Sequence, residues 1–151
     1  MIRRMLASDA ESVADLFAQS PQASPWTATD LLQLATAGSQ VWVAEEDARV
    51  IGAVASRAIA GEAEILSLSV RTNRRRLGIG HSLMEAALEE LCACGAIRVF
   101  IEVRESNLGA QEFYRKLHFS QDGRRRNYYR NPTEDALLFS RSLQGNTPKT
   151  P

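Results

Sequence analysis

One stretch of the sequence decides the fold: Val70-Arg71-Thr72-Asn73-Arg74-Arg75-Arg76-Leu77-Gly78-Ile79-Gly80-His81. It joins an apolar, strand-like run to an amphipathic helical pattern. A helix N-terminus presents unpaired N–H groups at the positive end of the helix dipole, and glycine lets an anion approach the backbone. Arginine side chains add forked hydrogen bonds to phosphate groups. The stretch therefore predicts a phosphate site between a strand and a helix.

The spacing within this stretch excludes two common phosphate loops. No Lys-Ser or Lys-Thr pair follows Gly80, so the stretch is not a P-loop. Leu83 stands where a dinucleotide-binding fingerprint needs its third glycine. The remaining alternative to an anion site is an arginine-rich surface loop.

The length and composition are those of one globular domain. We expect the domain to span residues 1–143 of the 151, with a small, polar and disordered tail over 144–151. Eighteen basic and eighteen acidic residues give a net charge of zero, which argues against bulk attraction to nucleic acid or an anionic membrane. Because no apolar segment follows Met1 and no run of about 18 apolar residues occurs, we expect a cytoplasmic protein.

The cysteines and histidines do not have the spacing of a metal site. Cys92 and Cys94 lie one residue apart in a helical pattern without a second pair, so we expect buried or half-buried free thiols. His81 and His118 are isolated from other ligand types. No metal is expected.

The first half of the sequence predicts a strand, two helices and a strand meander. We expect a strand at Ile2–Met5, a helix over about 9–19, a helix ending at Gly38, and strands at Val41–Ala44, Val50–Ala55 and Ile65–Val70. Ser8 and Glu11 have capping-box spacing for the first helix, and Thr27 and Asp30 can cap the second. Polar turns between the strands indicate antiparallel pairing.

The second half predicts two more helices alternating with strands. We expect a helix from about Gly80 to Gly95, a strand at Ile97–Val103, a helix capped by Ser106 or Asn107, and strands at Arg124–Tyr129 and Ala136–Phe139. A strand, a helix and a strand in succession imply a parallel pair. The fold class is α/β (α+β), with a mixed central sheet of about six or seven strands flanked by about four helices.

A second motif begins in the strand after the long helix and continues through the next helix. It consists of Glu102-Val103-Arg104-Glu105-Ser106-Asn107, Ala110, Phe113-Tyr114, Leu117 and Phe119. Together with Arg75-x-x-Gly78-x-Gly80, it resembles the GCN5-related N-acetyltransferases (GNAT), and most of all the ribosomal-protein-alanine N-acetyltransferases (the RimI family). Asn127-Tyr128-Tyr129 and Glu134-Asp135-Ala136 fit that family's C-terminal pattern, so the resemblance covers residues 62–143.

The resemblance implies a GNAT-like fold and an enzyme that transfers the acetyl group of acetyl-coenzyme A (acetyl-CoA) to the α-amine of a protein N-terminus, that of a ribosomal protein. For acetyl-CoA binding it implies the backbone of Leu68, Ser69 and Val70, which would pair with the pantetheine arm. The other residues it implies for this binding are Arg75, Arg76, Leu77, Gly78, Ile79, Gly80, His81, Asn107 and Tyr114. It implies Glu102 as the general base and Tyr114 as the general acid. The candidates for the acceptor site are Trp26, Glu62, Tyr128 and Tyr129.

These residue types suit acyl transfer. An ammonium group must lose a proton before its nitrogen can attack a thioester carbonyl, and a carboxylate can take that proton directly or through a water. The thiolate that leaves is helped by a phenol that donates a proton or a hydrogen bond to the sulfur.

Other interpretations of the same residues stay open. Glu102 can face solvent or pair with Arg104, and Tyr114 can serve core packing, since its helical spacing with apolar neighbours is typical of a core. Glu64 is the second-choice base and goes with an alternative function, acetyl transfer to a small amine or a lysine. A further alternative is a binding module that holds acyl-CoA without turnover.

Two positions depart from the family pattern. His118 stands where the family usually has glycine, which matters if that turn needs a positive φ. Arg130 stands where proline is common. The run Arg124–Arg126 beside two tyrosines has the composition of a nucleic-acid patch, but a strand with its charged face in water is the simpler explanation, and no nucleic-acid partner is expected.

Overall fold

The computed structural model describes residues 1–19, 26–36 and 39–143, and within them it confirms a mixed α/β fold with seven strands and four α-helices. The elements are β1 (Ile2–Arg4), α1 (Ala10–Ala18), α2 (Ala28–Thr36), β2 (Gln40–Glu46), β3 (Arg49–Ile59), β4 (Glu62–Val70), α3 (Ile79–Ala93), β5 (Arg98–Arg104), α4 (Leu108–Lys116), β6 (Ser120–Tyr129) and β7 (Glu134–Ser142). The expected end of the second helix at Gly38 and the expected tail over 144–151 lie outside the described residues. No helix within the described ranges has the length and apolar character needed to cross a membrane.

The strands form one sheet in the order β1-β2-β3-β4-β5-β7-β6. Neighbouring strands from β1 to β4 are antiparallel, as the meander pattern predicts. The β4–β5 pair is parallel because α3 carries the chain back to the same end of the sheet. The pairs β5–β7 and β6–β7 are antiparallel.

Two apolar clusters cover the two faces of the sheet. Alternation along β2 sends Val41 and Val43 toward α1 and α2, and Trp42 and Ala44 toward the cluster that contains α3 and α4. The larger cluster includes the buried stripe of α3, formed by Leu83, Met84, Ala87, Leu88 and Leu91.

Helix α2 has the cap that its sequence predicts, and α1 does not. The amide of Thr27 donates to Asp30 (2.9 Å) and the amide of Asp30 donates to the Thr27 hydroxyl (3.0 Å), which is a reciprocal capping box. The cap expected from Ser8 and Glu11 is wrong. Asp9 is the N-cap residue of α1 but makes no side-chain bond to the helix, because its carboxylate accepts the amide of Leu6 at 2.7 Å in the short 3₁₀ turn that precedes α1.

The expectation of buried or half-buried thiols is also wrong. Cys92 and Cys94 are both exposed free cysteines. The buried stripe of α3 ends at Leu91, so the last turn of the helix points its side chains away from the sheet. Gly95 then closes the helix with φ +90°, a conformation that favours glycine.

The sheet opens between β4 and β5, and this opening positions the site. The parallel register joins Glu62–Glu64 to Arg98–Phe100 and goes no further. On its other side β4 carries a β-bulge at Leu66, where the register with β3 shifts between Ala55 and Ser56. The two strands therefore separate beyond Glu64 and leave a gap between their C-terminal halves.

Candidate active site

A cavity of about 300 Å³ fills the gap between β4 and β5. Eight of the predicted site residues line it: Trp26, Glu64, Leu68, Glu102, Asn107, Tyr114, Tyr128 and Tyr129. The structure therefore brings the candidate bases, the candidate acid and most of the acceptor-site candidates together in one place.

Glu102 lies on β5 in the cavity wall, and its side chain is 19% exposed. Its Oε1 is 3.5 Å from Nε of Arg125 on β6. The hydroxyl of Tyr128 also hydrogen-bonds to Glu102, and this bond is the main reason that the pKa of Tyr128 is raised. The alternative pairing of Glu102 with Arg104 is wrong, because the guanidinium of Arg104 donates to Glu134 instead.

Glu64, the second-choice base, lines the same cavity from β4. Its Oε2 accepts from Arg57 twice, from Nη2 at 2.9 Å and from Nε at 3.2 Å. Both donors of the guanidinium edge therefore engage one carboxylate oxygen, and Glu64 is held more tightly by its arginine than Glu102 is by Arg125.

Tyr114 projects from α4 into the cavity wall and is 6% exposed. Its ring makes edge contacts with Phe113 (5.1 Å between centroids) and Phe119 (5.7 Å). Burial raises the pKa of Tyr114, and the nearby Tyr129 adds to the shift. The side chain thus belongs to the core and to the cavity, and its phenol stays protonated at neutral pH.

Asn107 fixes the start of α4 beside Tyr114. Its side-chain oxygen accepts the amide of Ala110 at 3.1 Å, so the predicted N-cap is confirmed at Asn107 and not at Ser106. Gln111, one turn later, donates to the carbonyl oxygens of Arg104 (3.3 Å) and Glu105 (2.7 Å). These bonds join the end of β5 to the first turn of α4.

The anion loop lies at the same end of the sheet. Gly78 forms the N-cap of α3 with φ +83°, and Arg76 also has a positive φ of 64°. A Cβ at Gly80 would lie 3.5 Å from the ring of Phe113, so the first turn of α3 packs beside α4. Arg75 donates from Nε to the carbonyl of Val70 at 3.1 Å. Leu77 and His81 are exposed, and His81 pairs with Glu85.

The three residues predicted on β4 do not all face the cavity. Leu68 lines it, whereas Ser69 turns toward α1 and donates to the carbonyl of Leu16 at 3.3 Å. Val70 packs against the α3 cluster. Any contact of Ser69 and Val70 with a ligand in the gap would therefore be through backbone atoms.

A β-bulge in β6 aims two tyrosines at the cavity. The register with β7 shifts between Arg125 and Tyr129, and Asn127 has φ +51°. Asp135 holds this bulge, because its Oδ1 accepts the amide of Asn127 at 2.9 Å and its Oδ2 accepts from Arg124 at 2.7 Å. Bulges commonly redirect side chains beside active sites.

Trp26 and Glu62 occupy different positions. Trp26 lines the cavity and packs against Phe17 at 6.5 Å, and its buried Nε1 has no hydrogen-bond partner in the described part of the chain. Glu62 lies outside the cavity, in an adjoining groove of about 610 Å³. The groove shares Glu64, Ile101 and Glu102 with the cavity and is otherwise lined by Arg57, Ile59, Ala60, Glu62, Ala63, Phe100, Arg125 and Leu138.

The sequence pattern assigns no site role to three polar residues of this region. Ser67 and Arg104 line the cavity, and Arg125 contacts Glu102. Arg104 follows Glu102 by two residues in the same motif, and this closeness in the sequence indicates a place near the site. Arg125 gives no such signal because it reaches Glu102 from β6, across the intervening strand β7.

The matches to known proteins agree with this fold. The model of the Acetyltransferase (GNAT) family matches residues 7–119. A Bacillus subtilis protein assigned as a ribosomal protein bS18-alanine N-acetyltransferase is 30% identical over 140 residues, which cover 91% of this chain and 92% of that protein. The corresponding enzyme of Salmonella typhimurium is 33% identical over 98 residues, 62% of this chain and 65% of that protein.

Among solved structures, that of the ribosomal-protein-S18-alanine N-acetyltransferase from Escherichia coli has a TM-score of 0.85 at 22% identity, covering 100% of this chain and 98% of that one. At this identity the likeness shows the shared fold. With the family-model match and the Bacillus relative, the chain belongs to the GNAT acetyltransferase family. The enzyme class expected from the sequence, an N-acetyltransferase similar to the RimI family, is thereby confirmed.

Proposed function

We propose that this enzyme transfers the acetyl group of acetyl-CoA to the α-amine of a protein N-terminus, with an alanine-bearing ribosomal protein as the acceptor. The observation that carries the proposal is the single cavity between β4 and β5, where Glu102, Asn107, Tyr114 and two tyrosines of β6 meet. The relatives named for bS18 alanine acetylation support the choice of acceptor.

The fit of acetyl-CoA rests on two features. Beyond Glu64, β4 has no pairing with β5, so its backbone edge is open to the amides of a pantetheine arm. At the end of that strand, the N-terminus of α3 begins at Gly78 without a side-chain cap, beside Arg75 and Arg76. Free helix N–H groups and arginines suit a pyrophosphate.

The proposed chemistry is direct transfer. Glu102 takes a proton from the acceptor ammonium, the nitrogen attacks the thioester carbonyl, the C–N bond forms and the C–S bond breaks. The leaving sulfur receives a proton or a hydrogen bond from the phenol of Tyr114, and the second proton that the attacking nitrogen loses restores the phenol or is released to solvent. Cys92 and Cys94 have no part in it, because they lie at the far end of α3, where Cys92 contacts the carbonyl of Leu143.

The geometry supports Glu102 over Glu64 as the base. The guanidinium of Arg57 binds Glu64 through two donors, the shorter at 2.9 Å, whereas the ion pair of Glu102 is longer, at 3.5 Å. An amine can displace the looser partner more easily. Since Glu64 lines the same cavity, acetyl transfer to a small amine or a lysine with Glu64 as base is the second candidate.

Thiol release tests the proposal. The enzyme is mixed with acetyl-CoA and one of three acceptors: an alanine-starting peptide, the same peptide with a blocked N-terminus and an internal lysine, or a polyamine. We expect release with the first acceptor only. Release with either of the others favours the Glu64 reaction. If calorimetry shows that acetyl-CoA binds but none of the three acceptors gives thiol release, the protein is a non-catalytic acyl-CoA-binding module.

A further inference from the structure

Arg104, the last residue of β5, is a buried cation in the wall of the cavity. The residue is 9% exposed. Its Nη1 donates to Oε1 of Glu134 at 3.1 Å and approaches the carbonyl of Pro132 at 3.5 Å. Its Cζ lies 4.2 Å from the centre of the Tyr129 ring, so the guanidinium stacks on that ring.

Stability alone does not explain an arginine at this place. The Nε of Arg104 is buried and has no hydrogen-bond acceptor among the described residues. An unpaired buried donor is costly, and buried ion pairs can often be replaced by apolar side chains without loss of stability. The face of the Tyr129 ring is the compensating partner that the structure offers.

Glu134 anchors one end of this guanidinium. Its Oε1 accepts from Arg104, and its Oε2 accepts the amide of Ser106 at 2.7 Å. Since Ser106 directly precedes the N-cap of α4, Arg104 is held relative to α4 on one side and presents its flat surface to β6 on the other. A lysine could keep the charge near Glu134 and would lose the flat surface.

Tyr129 in turn contacts the residue that reaches the candidate base. The rings of Tyr128 and Tyr129 meet edge to face at 5.1 Å, and Tyr128 hydrogen-bonds to Glu102. Both tyrosines follow the bulge at Asn127, where the β6–β7 ladder is interrupted. The ladder resumes at Tyr129, which pairs with Glu134, so the register fixes the backbone of Tyr129 and side-chain contacts set the position of its ring.

We propose that Arg104 is a positioning residue that holds the Tyr129 ring in the cavity wall and thereby sets the affinity for the acceptor chain. This inference rests on the proposed function. It assigns Arg104 no contact with the reacting atoms and no part in acetyl-CoA binding.

The test separates the two substrates. Arg104→Lys, Tyr129→Leu and the double variant are assayed for thiol release with the alanine-starting peptide and acetyl-CoA varied in turn. For Arg104→Lys we expect the acceptor KM to rise about five- to tenfold, with the acetyl-CoA KM within about twofold of the wild-type value. In the Tyr129→Leu background the lysine should add no further increase, because the ring it supports is gone.

The matched control is Arg115→Lys. Arg115 stacks over Phe139 at 5.3 Å outside the cavity, so this variant should leave both KM values unchanged. An Arg104→Lys effect that is equal for both substrates, or that persists in the Tyr129→Leu background, overturns the positioning role. Arg104→Met, read by its melting temperature, reports the structural contribution separately. Absence of wild-type turnover would overturn the proposed function itself, whereas normal wild-type turnover with an unchanged acceptor KM in Arg104→Lys overturns only this inference.

Discussion

Glu102 and Arg125 face each other from β5 and β6, with Oε1 of the carboxylate 3.5 Å from Nε of the guanidinium. The strand β7 lies between them, so the pair bridges the outer surface of three strands at the boundary between the cavity and the adjoining groove. The arginine is 57% exposed and the carboxylate 19% exposed. An acceptor amine that enters from the groove would meet this carboxylate from the side that the arginine occupies.

Glu102→Gln should therefore abolish most turnover. We expect kcat to fall by about 100-fold or more, since loss of a general base typically costs two to four orders of magnitude, with acetyl-CoA affinity nearly unchanged. Glu64→Gln is the matched control and should cost less than about fivefold. Steady-state thiol release measures both. A larger loss in Glu64→Gln than in Glu102→Gln would reverse the assignment of the base.

The pH dependence of turnover should not show an ordinary tyrosine ionisation. Burial raises the pKa of Tyr114 above its usual 10.0 and raises the pKa of Tyr129 to about 12. A raised pKa extends the protonated range upward, so both phenols should remain neutral as the pH rises through 10. We expect kcat to stay level from about pH 8 to about pH 10.5 in the wild type, and Tyr114→Phe to be slow throughout. A decline of wild-type kcat with a midpoint near 10 would contradict a buried acid.

Alanine variants of the two glycines at opposite ends of α3 distinguish backbone strain from an effect on ligand binding. Gly78 and Gly95 have φ values of +83° and +90°, and a Cβ at either would meet no heavy atom of the described residues within 4 Å. Gly78→Ala and Gly95→Ala should each cost about 1 kcal/mol of stability from left-handed strain. Only Gly78→Ala should also raise the KM for acetyl-CoA, because only that residue borders the proposed pyrophosphate site. Equal KM values for acetyl-CoA in the two variants would show that its pyrophosphate does not bind beside Gly78.

His118 is strained in the turn between α4 and β6. It is exposed and has φ +68°, so the position where the family usually has glycine does use the left-handed region. His118→Gly should raise the free energy of unfolding by about 1 kcal/mol. His118→Ala keeps the Cβ and the strain and should leave stability unchanged. Denaturant melts of the two variants compare them, and an equal gain in both would trace the effect to the imidazole.

Asp9 should make the stability of the protein depend on acid pH. Its carboxylate accepts from Arg3 at 2.7 and 3.1 Å and from the amide of Leu6, and the bond to Arg3 is the main cause that lowers its pKa below 3.8. The stabilisation is complete above the pKa of the unfolded state and is lost as the pH falls through the lower folded pKa. Asp9→Asn should cost about 1–3 kcal/mol at neutral pH and flatten the stability curve below about pH 5. Asp15→Asn, on the exposed side of α1, is the control and should follow the wild-type curve.

The element order could be predicted because each element carries its own local signal. Thr27 and Asp30 mark the start of α2, Asn107 caps α4, and Gly95 ends α3. The start of α1 near residue 9 is predicted correctly, but its cap is not. Ser8 has the right spacing for a cap, but Asp9 finds a stronger partner in Arg3 of β1, which is a tertiary contact that a local pattern does not contain.

The candidate site divides in the same way. The motif that carries Glu102, Asn107 and Tyr114 is contiguous, so its residues could be named from the sequence and were found around one cavity. The partner of Glu102 could not be predicted from the sequence, because Arg125 reaches it across another strand. The direction of the Ser69 side chain could not be predicted either, because the bulge at Leu66 changes which side chains of β4 face the gap.

The three-residue junction between β4 and β5 has a mechanical consequence. Strands β1–β4 and strands β5–β7 form two half-sheets whose direct backbone link is the register of Glu62–Glu64 with Arg98–Phe100. Beyond it, the halves can change their separation without breaking a ladder. A ligand in the gap that hydrogen-bonded to the edges of both β4 and β5 would replace the missing backbone bonds, so that its binding would also stabilise the association of the two half-sheets. The substrate would then serve, while bound, as an eighth strand of the sheet.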